Sequence, residues 1–206
     1  MYKDNDGVQY SDDKKTLLKC PKDFHGEYVI PDGVTSIEMF AFEGCTNLTS
    51  ITIPAGVKII DQDAFGNCPS LSSIVVAPDN TIYDSRNGCN AIIKTATDTL
   101  ILGCKNTIIP DSVSYIGHDA FKGCTGLTSI EIPKSVLCIN NDAFSCCRGL
   151  ETITFKGSPN LNWEAFYCCD LKHVIIPKGT KEHFLKQIKR NDLGVENFEE
   201  ILEDGN

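Results

Sequence analysis

Hydrophobic positions recur along the chain in a fixed order: an Ala-Phe pair, a cysteine, a leucine and then alternating isoleucines. The Ala-Phe pairs follow one another at steps of 23, 56, 23 and 22 residues, and they begin at Ala41, Ala64, Ala120, Ala143 and Ala165. A fixed period of this length that carries L-x-x-I-x-I is typical of a leucine-rich solenoid. Segments such as LTSITI and LSSIVV therefore predict short strands that stack side by side into a parallel sheet.

Alternation along these strands separates an inward set of side chains from an outward set. Leu48, Ile51 and Ile53 are predicted to point inward, because one coil can bury its apolar edge only against neighbouring coils. The outward positions predict a face that binds a ligand. The alternative interpretation is that they are ordinary solvent-facing strand residues. The predicted ligand-binding residues are Ser50, Thr52, Ser73, Val75, Ser129, Glu131, Thr152, Thr154, His173 and Ile175.

The 56-residue step marks an insertion into the repeat pattern. Within residues 82–106, AIIK and TLIL flank a polar turn from Thr95 to Asp98, a pattern that predicts a β-hairpin. The early segment VQYSDDKKTLLKC parallels IIKTATDTLILGC without a gap. Residues 1–27 are therefore expected to form a partial N-terminal unit or hairpin, and the pattern favours a missing upstream segment.

The last part of the chain departs from the repeat. Phe184, Leu185 and Ile188 have helical spacing, with Thr180 as the expected N-cap, so residues 179–206 predict a C-terminal cap built on a helix. Residues 1–206 are predicted to form a single domain, with repeats at 28–81 and 107–178. Trp163, in the irregular stretch FKGSPNLNW, is expected to pack into a shortened coil, and the alternative is an exposed contact residue.

The stretch IPDGVTSIEMFAFEGCTNLTSITIPAGVKII resembles the bacterial BspA-type (Treponema pallidum-type) leucine-rich repeats. The resemblance covers most of residues 28–178 and requires Ala-Phe, Cys, Leu, Ile and Pro together at set offsets. The expected fold is an α/β-type repeat solenoid. It is a right-handed superhelix with a parallel β-sheet on its concave face, an inserted hairpin and a C-terminal capping helix.

Charge and hydropathy narrow the range of functions. The formal charge of −9 and the absence of a basic stripe argue against nucleic-acid binding. No apolar run reaches the roughly 18 residues that a membrane span needs. The opening MYKDNDGVQY lacks the apolar core of a secretory signal.

Eleven cysteines are an odd number, so complete pairing within one chain is impossible. Those in register with the repeat are expected to be buried thiols that pack as small hydrophobes. Four others are open to two interpretations, disulfides or free thiols: Cys146 with Cys168 on adjacent coils, and Cys89 with Cys104 across the hairpin. No CxxC pair accompanies them, so no metal site is predicted.

Recognisable catalytic motifs are missing from the chain: there is no G-x-S-x-G, no H-E-x-x-H and no phosphate-binding glycine loop. The sequence therefore predicts neither an enzyme nor a cofactor. We expect a non-catalytic macromolecular interaction module with a protein or glycan ligand. The alternatives are a structural spacer within a larger surface protein, or an enzyme or accessory region that uses surface cysteines.

The family resemblance implies more about location and partner. BspA-like proteins are typically secreted or cell-surface proteins of bacteria, and some are adhesins that bind host matrix proteins such as fibronectin and fibrinogen. The implied location is therefore extracellular or on the cell surface, with a signal sequence removed from the chain shown. No motif in this sequence carries specificity for a particular host protein.

Overall fold

The protein, described here from a computed structural model over residues 1–187 and 198–201, is built from short strands. Their order follows the repeat, with two strands from most coils. In the first half the strands are β1 (Tyr2–Lys3), β2 (Gln9–Tyr10), β3 (Thr16–Lys19), β4 (His25–Val29), β5 (Ser36–Ile37), β6 (Asn47–Ile53), β7 (Ile59–Ile60) and β8 (Ser73–Val76). In the second half they are β9 (Tyr83–Asp84), β10 (Ala91–Lys94), β11 (Thr99–Gly103), β12 (Tyr115–Ile116), β13 (Ser129–Ile132), β14 (Cys138–Ile139), β15 (Thr152–Phe155), β16 (Asn160–Leu161), β17 (His173–Pro177) and β18 (Phe198–Ile201).

The L-x-x-I-x-I segments pair in parallel, as the sequence predicts, and we call the two sheets that contain them ladder A. Ladder A consists of a three-stranded sheet, β4-β6-β8, and a four-stranded sheet, β13-β15-β17-β18. Equivalent repeat positions face each other, for example Ile51 opposite Ile74 and Ile130 opposite Ile153. The expected single sheet is therefore wrong in one respect, because ladder A is interrupted between β8 and β13.

A second set of parallel strands, which we call ladder B, includes the V-x-x-I segments of the repeats at β5, β7, β12 and β14. Its strands pair in the orders β3-β5-β7 and β11-β12-β14-β16. Ladder B went unpredicted, since most of these strands have only two residues and carry too little alternation to be recognised in a sequence.

The core lies between the two ladders and is lined by one column of side chains for each conserved repeat position. The leucine column is buried as predicted, at Leu48, Leu71, Leu127 and Leu150. The phenylalanine rings stack face to face from coil to coil. Their centroids are 4.9 Å apart for Phe42 and Phe65, 4.7 Å for Phe121 and Phe144, and 5.1 Å for Phe144 and Phe166.

The inserted hairpin is present, with β10 antiparallel to β11 and the turn at residues 95–98. Both of its faces are buried. Ile92 and Leu102 belong to the core cluster of the first half, whereas Ile93 and Leu100 belong to that of the second half. The hairpin is therefore a wall that divides the interior into two hydrophobic cores.

The N-terminal segment repeats this arrangement, as its sequence suggested. Strand β2 is antiparallel to β3, and β3 is then parallel to β5, just as β10, β11 and β12 are related. The ungapped alignment is wrong by one residue, however. The amide of Cys20 donates to Ala41, and it is the amide of Gly103, rather than that of Cys104, that donates to the equivalent Ala120.

After the last repeat the chain forms a single short helix, α1 (Lys181–Leu185), within the described residues. Phe184 is fully buried, with its ring centroid 4.8 Å from that of Phe155, whereas Leu185 is exposed. Thr180 occupies the expected N-cap position, but its hydroxyl donates to the Pro177 carbonyl and makes no capping hydrogen bond. Ile188 lies outside the described residues. The capping role, the superhelical handedness and the segment boundaries stay predictions.

Candidate functional site

Strand register brings the predicted ligand-binding residues together in two rows on ladder A. The first row pairs Ser50 with Ser73, and Ser129 with Thr152 and His173. The second row pairs Thr52 with Val75, and Glu131 with Thr154 and Ile175. All ten residues are exposed or half-buried. We call this set the display face; that it binds a ligand stays a prediction.

Three residues that belong to these rows were missed in the sequence. Glu27 and Val29 on β4 lie opposite Ser50 and Thr52, and Glu199 on β18 lies opposite Ile175. An available signal for β4 was the Ile30-Pro31 pair, because Ile-Pro also occurs at the ends of β6, β13 and β17. For β18 no repeat signal exists, since its sequence shares none of the conserved positions.

A groove of about 700 Å³ opens where the insert meets the edge strand β13. One wall is formed by residues 87–89 and 107–111, and the other includes Ser129, Glu131 and Thr154 of the display face. Ile108 on the first wall is 77% exposed, although aliphatic side chains of this size are usually buried. The interruption of ladder A therefore adds a concave, partly apolar feature to an otherwise regular surface.

Pairs of basic and acidic side chains lie at the margins of the display face. Lys156 Nζ lies 3.2 Å from Glu131 Oε2, and His173 Nδ1 lies 2.6 Å from Glu199 Oε1. These groups are largely exposed, so the pairs contribute little to stability, in the range of about 0 to 1 kcal/mol each. They do place polar and charged groups beside the hydroxyl and aliphatic side chains of the rows.

Four of the five in-register cysteines are buried in an internal column, as predicted, whereas Cys169 is half-buried. The thiols of Cys68, Cys147 and Cys169 donate hydrogen bonds to the phenylalanine carbonyls of the preceding coils, at 3.2, 2.9 and 3.0 Å. Burial raises the pKa of Cys68 and of Cys124 to about 12. Such thiols carry little thiolate at neutral pH and are poor nucleophiles.

Neither candidate disulfide is formed, because all eleven cysteines are free thiols. Cys89 belongs to the core cluster of the second half, and Cys104 belongs to that of the first half, so the hairpin wall separates them. Cys146 and Cys168 lie at equivalent positions of adjacent coils, and both have positive φ, at 61° and 57°. Trp163 is 59% exposed, so its predicted packing into the coil is also wrong.

A cluster of titratable groups that the sequence did not indicate lies where the two halves meet. Asp63 precedes one Ala-Phe pair, and His118 and Asp119 precede the next, 56 residues on. The ligand atoms of these three side chains all lie within 4.8 Å of one another. They line a cavity of about 380 Å³ between the turns of the two halves and the tip of the hairpin.

Comparison with known families agrees with the repeat architecture. The model of the BspA type leucine rich repeat region matches in six copies, over residues 24–94 and 101–194. These ranges span well over half of the chain. The protein belongs to the BspA-type leucine-rich repeat family. No curated protein has a matching sequence.

Solved structures of bacterial leucine-rich repeat proteins have the same fold. A leucine-rich repeat protein of Eubacterium ventriosum is 18% identical, with a TM-score of 0.55, covering 86% of this chain and 56% of the other. A leucine rich cell surface protein of Faecalibacterium prausnitzii is 22% identical, with a TM-score of 0.54, covering 90% and 61%. The pneumococcal vaccine antigen PcpA is 16% identical, with a TM-score of 0.55, covering 85% and 65%.

The chain thus spans less than two thirds of the length of these structures. At identities below 25% the likeness concerns the fold alone. In the part of the chain that the structure describes, no helix has the length and apolar character needed to cross a bilayer.

Proposed function

We propose that this protein is a non-catalytic binding module whose display face holds a protein ligand. The observation that carries the proposal is the alignment of the outward residues in two rows, which run across the strands of ladder A and into the groove at β13. Parallel strands hold such side chains at a spacing of about 4.8 Å on a rigid backbone, so little conformational entropy is lost on binding.

The chemistry of the face favours a protein over a glycan. Val29, Val75 and Ile108 are 68%, 46% and 77% exposed, and these aliphatic groups accompany the hydroxyls of Ser and Thr and the pairs at Glu131 and His173. Apolar groups surrounded by polar and charged ones are typical of protein interfaces. A glycan ligand would instead be expected to use aromatic and amide groups.

We also propose that the protein acts outside the cell, at the bacterial surface, as an adhesin. The support is that one structural relative is described as a cell surface protein and another as a vaccine antigen. Protease treatment of intact cells that express the full-length protein tests the location. Loss of the protein from intact cells is expected, and complete protection would contradict a surface location.

Binding to the display face is tested with a double variant, Glu131→Arg with Thr154→Arg, against immobilised fibronectin, fibrinogen and a glycan array. These two positions face each other across β13 and β15 and line the groove. Two added bulky cations are expected to weaken binding at least about tenfold, since hot-spot residues lie at the centre of an interface. The matched control is Asn160→Arg, an exposed strand position on ladder B.

Each result decides between the proposed roles. Equal affinity of the double variant and the wild type would show that ladder A is not the binding surface. Binding to the glycan array alone would replace the protein ligand with a carbohydrate. If the folded chain bound none of these partners, the structural spacer would be the better account of its role.

A further inference from the structure

The turns of the two halves stack on each other even though ladder A is interrupted by the insert. The amide of Asn67 donates to the carbonyl of Lys122 at 3.2 Å, so the turn that holds Asp63 lies directly beside the turn that holds Asp119. Both aspartates have positive φ, at 58° and 55°. This shared backbone conformation directs equivalent side chains of the two turns into one place.

Three side-chain atoms converge there. His118 Nδ1 lies 3.1 Å from Asp119 Oδ1 and 3.9 Å from Asp63 Oδ1. The second oxygen of Asp119 accepts a hydrogen bond from Lys122 Nζ at 2.8 Å. The side chain of Asp119 is only 4% exposed, which is unusual for a carboxylate.

Two of these atoms are buried without a hydrogen-bond partner. Asp63 Oδ1 and Asp119 Oδ1 are both inaccessible to solvent, and neither accepts a hydrogen bond from a protein donor. A buried carboxylate oxygen with no donor costs several kcal/mol unless a cation or a proton compensates it. Lys122 supplies one positive charge for two carboxylates, which leaves the cluster short of a cation.

We propose that Asp63, His118 and Asp119 bind a divalent transition-metal cation. An imidazole nitrogen with two carboxylate oxygens is a ligand set suited to Zn²⁺ or Mn²⁺. Ligand atoms around a tetrahedral Zn²⁺ lie about 3.3 Å apart, given metal–ligand distances near 2.0–2.1 Å. The distance of 3.1 Å from His118 fits this geometry, and that of 3.9 Å requires only a small inward shift of Asp63.

The surroundings suit a bound ion with additional water ligands. The cavity of about 380 Å³ beside the cluster is lined by Thr97, Thr99 and Asn140, whose polar side chains can hold water. The ion would also join the two halves. Asp63 is next to the first core through Ala64, whereas Asp119 is next to the second through Ala120.

A proton is the competing occupant of the site. Burial and, after it, the neighbouring carboxyl of Asp63 together raise the pKa of Asp119 to about 6, so the two carboxylates can share a proton in mildly acidic solution. A metal ion would displace that proton, and its affinity would therefore fall as the pH drops below 6. The two alternatives can therefore be distinguished near neutral pH. A metal site binds added metal there, whereas a site that holds only a proton does not.

The test uses the whole chain, freed of metal with EDTA and kept reduced. Calorimetric titration at pH 7.5 measures the binding of Zn²⁺ and, separately, of Mn²⁺, and thermal melting measures the effect of each ion on stability. Mn²⁺ is included because it prefers oxygen and nitrogen ligands, so the free cysteines do not compete for it. A single ion per chain and a raised melting temperature are expected. Asp63→Asn, His118→Gln and Asp119→Asn should each weaken binding at least about tenfold, and His25→Gln, at an exposed histidine outside the cluster, should not.

The failing outcomes are equally distinct. If neither ion binds the folded wild type, or if Asp119→Asn and His25→Gln bind Mn²⁺ equally well, the site is not a metal site. A melting temperature of the metal-free wild type that rises as the pH is lowered from 7.5 to 5, a rise absent in Asp119→Asn, together with no response of the wild type to either ion, would show a shared proton instead. Circular dichroism confirms that each variant is folded, and the three separate ligand variants guard against the misfolding of any one.

Discussion

The residue before each column cysteine adopts positive φ throughout the repeats. The five positions are Gly44, Asn67, Gly123, Cys146 and Cys168, with φ between 57° and 72°. A left-handed conformation costs most side chains about 1 to 2 kcal/mol, whereas glycine avoids that cost and asparagine tolerates the conformation. The glycine, asparagine and cysteine residues in this position therefore reflect one backbone requirement, which cysteine meets with strain.

This requirement predicts opposite effects of two substitutions in the same slot. Cys146→Gly should raise the free energy of unfolding by about 0.5 to 1 kcal/mol, because relief of strain exceeds the added entropy of the unfolded chain. Gly123→Ala should lower it by more than about 1 kcal/mol, since its Cβ would also lie 2.2 Å from Asn67 Oδ1. Urea unfolding measures both, and a loss of stability in Cys146→Gly would contradict the explanation.

Among the elements, the inserted hairpin has the largest effect on the interior. Its two buried faces replace the contact that two successive coils would otherwise make. The phenylalanine column shows how closely the wall fits, since a Cβ at Gly103 would lie 2.1 Å from Phe121 Cε1. Glycine is required at this point of β11 because the phenylalanine ring takes the place of the missing side chain.

Gly103→Ala is accordingly expected to lower the free energy of unfolding by about 1 to 3 kcal/mol, the range found for overpacked cores. The matched control is Gly33→Ala, at a turn where an added Cβ meets no atom within 4 Å. Chemical denaturation of both variants measures the difference. Equal stability of the two would mean that the ring of Phe121 moves aside without cost and that the wall is loosely packed.

At the scale of the whole molecule, two cores meet at the hairpin, and polar groups bridge their outer edges. The cluster of Asp63, His118 and Asp119 is the part of this junction whose charge changes in mildly acidic solution. The protonation state of this cluster therefore affects the free energy of unfolding through the contact between the two halves.

The pH dependence of stability follows from Asp119. Its pKa is about 6 in the folded protein, mainly because of burial, and near 3.9 in an unfolded chain. The folded state therefore binds more protons between these values, so in the metal-free protein stability falls as the pH rises from about 4 to 6.

The contribution lost over this range is about 1 to 3 kcal/mol. Asp119→Asn should remove this part of the dependence of unfolding free energy on pH, whereas Asp79→Asn, at an exposed loop position, should leave it unchanged. Unfolding in urea at pH 4.5, 5.5 and 6.5 measures the slopes. Identical slopes for the wild type and Asp119→Asn would contradict the assignment.

Much of the fold was predictable because each repeat specifies its own structure through residues that are close together in the sequence. The spacing of Ala-Phe, Cys, Leu and Ile determines which side chains face inward on every coil, and alternation within LTSITI and LSSIVV determines the outward rows. The display-face residues were therefore identified before the structure, apart from Glu27, Val29 and Glu199. Val29 was missed because its strand lacks the preceding Ala-Phe signal.

The sequence by itself determined the period, the inward columns, the turn of the hairpin and the membership of the repeat family. Only the tertiary structure decided that the hairpin divides the core, that Cys89 and Cys104 lie in different cores, and that Asp63 meets His118 and Asp119. The reason is physical: a periodic pattern specifies how each residue faces its own coil and the next. Contacts across an insertion depend on how 56 residues are accommodated between two turns, and no local rule contains that information.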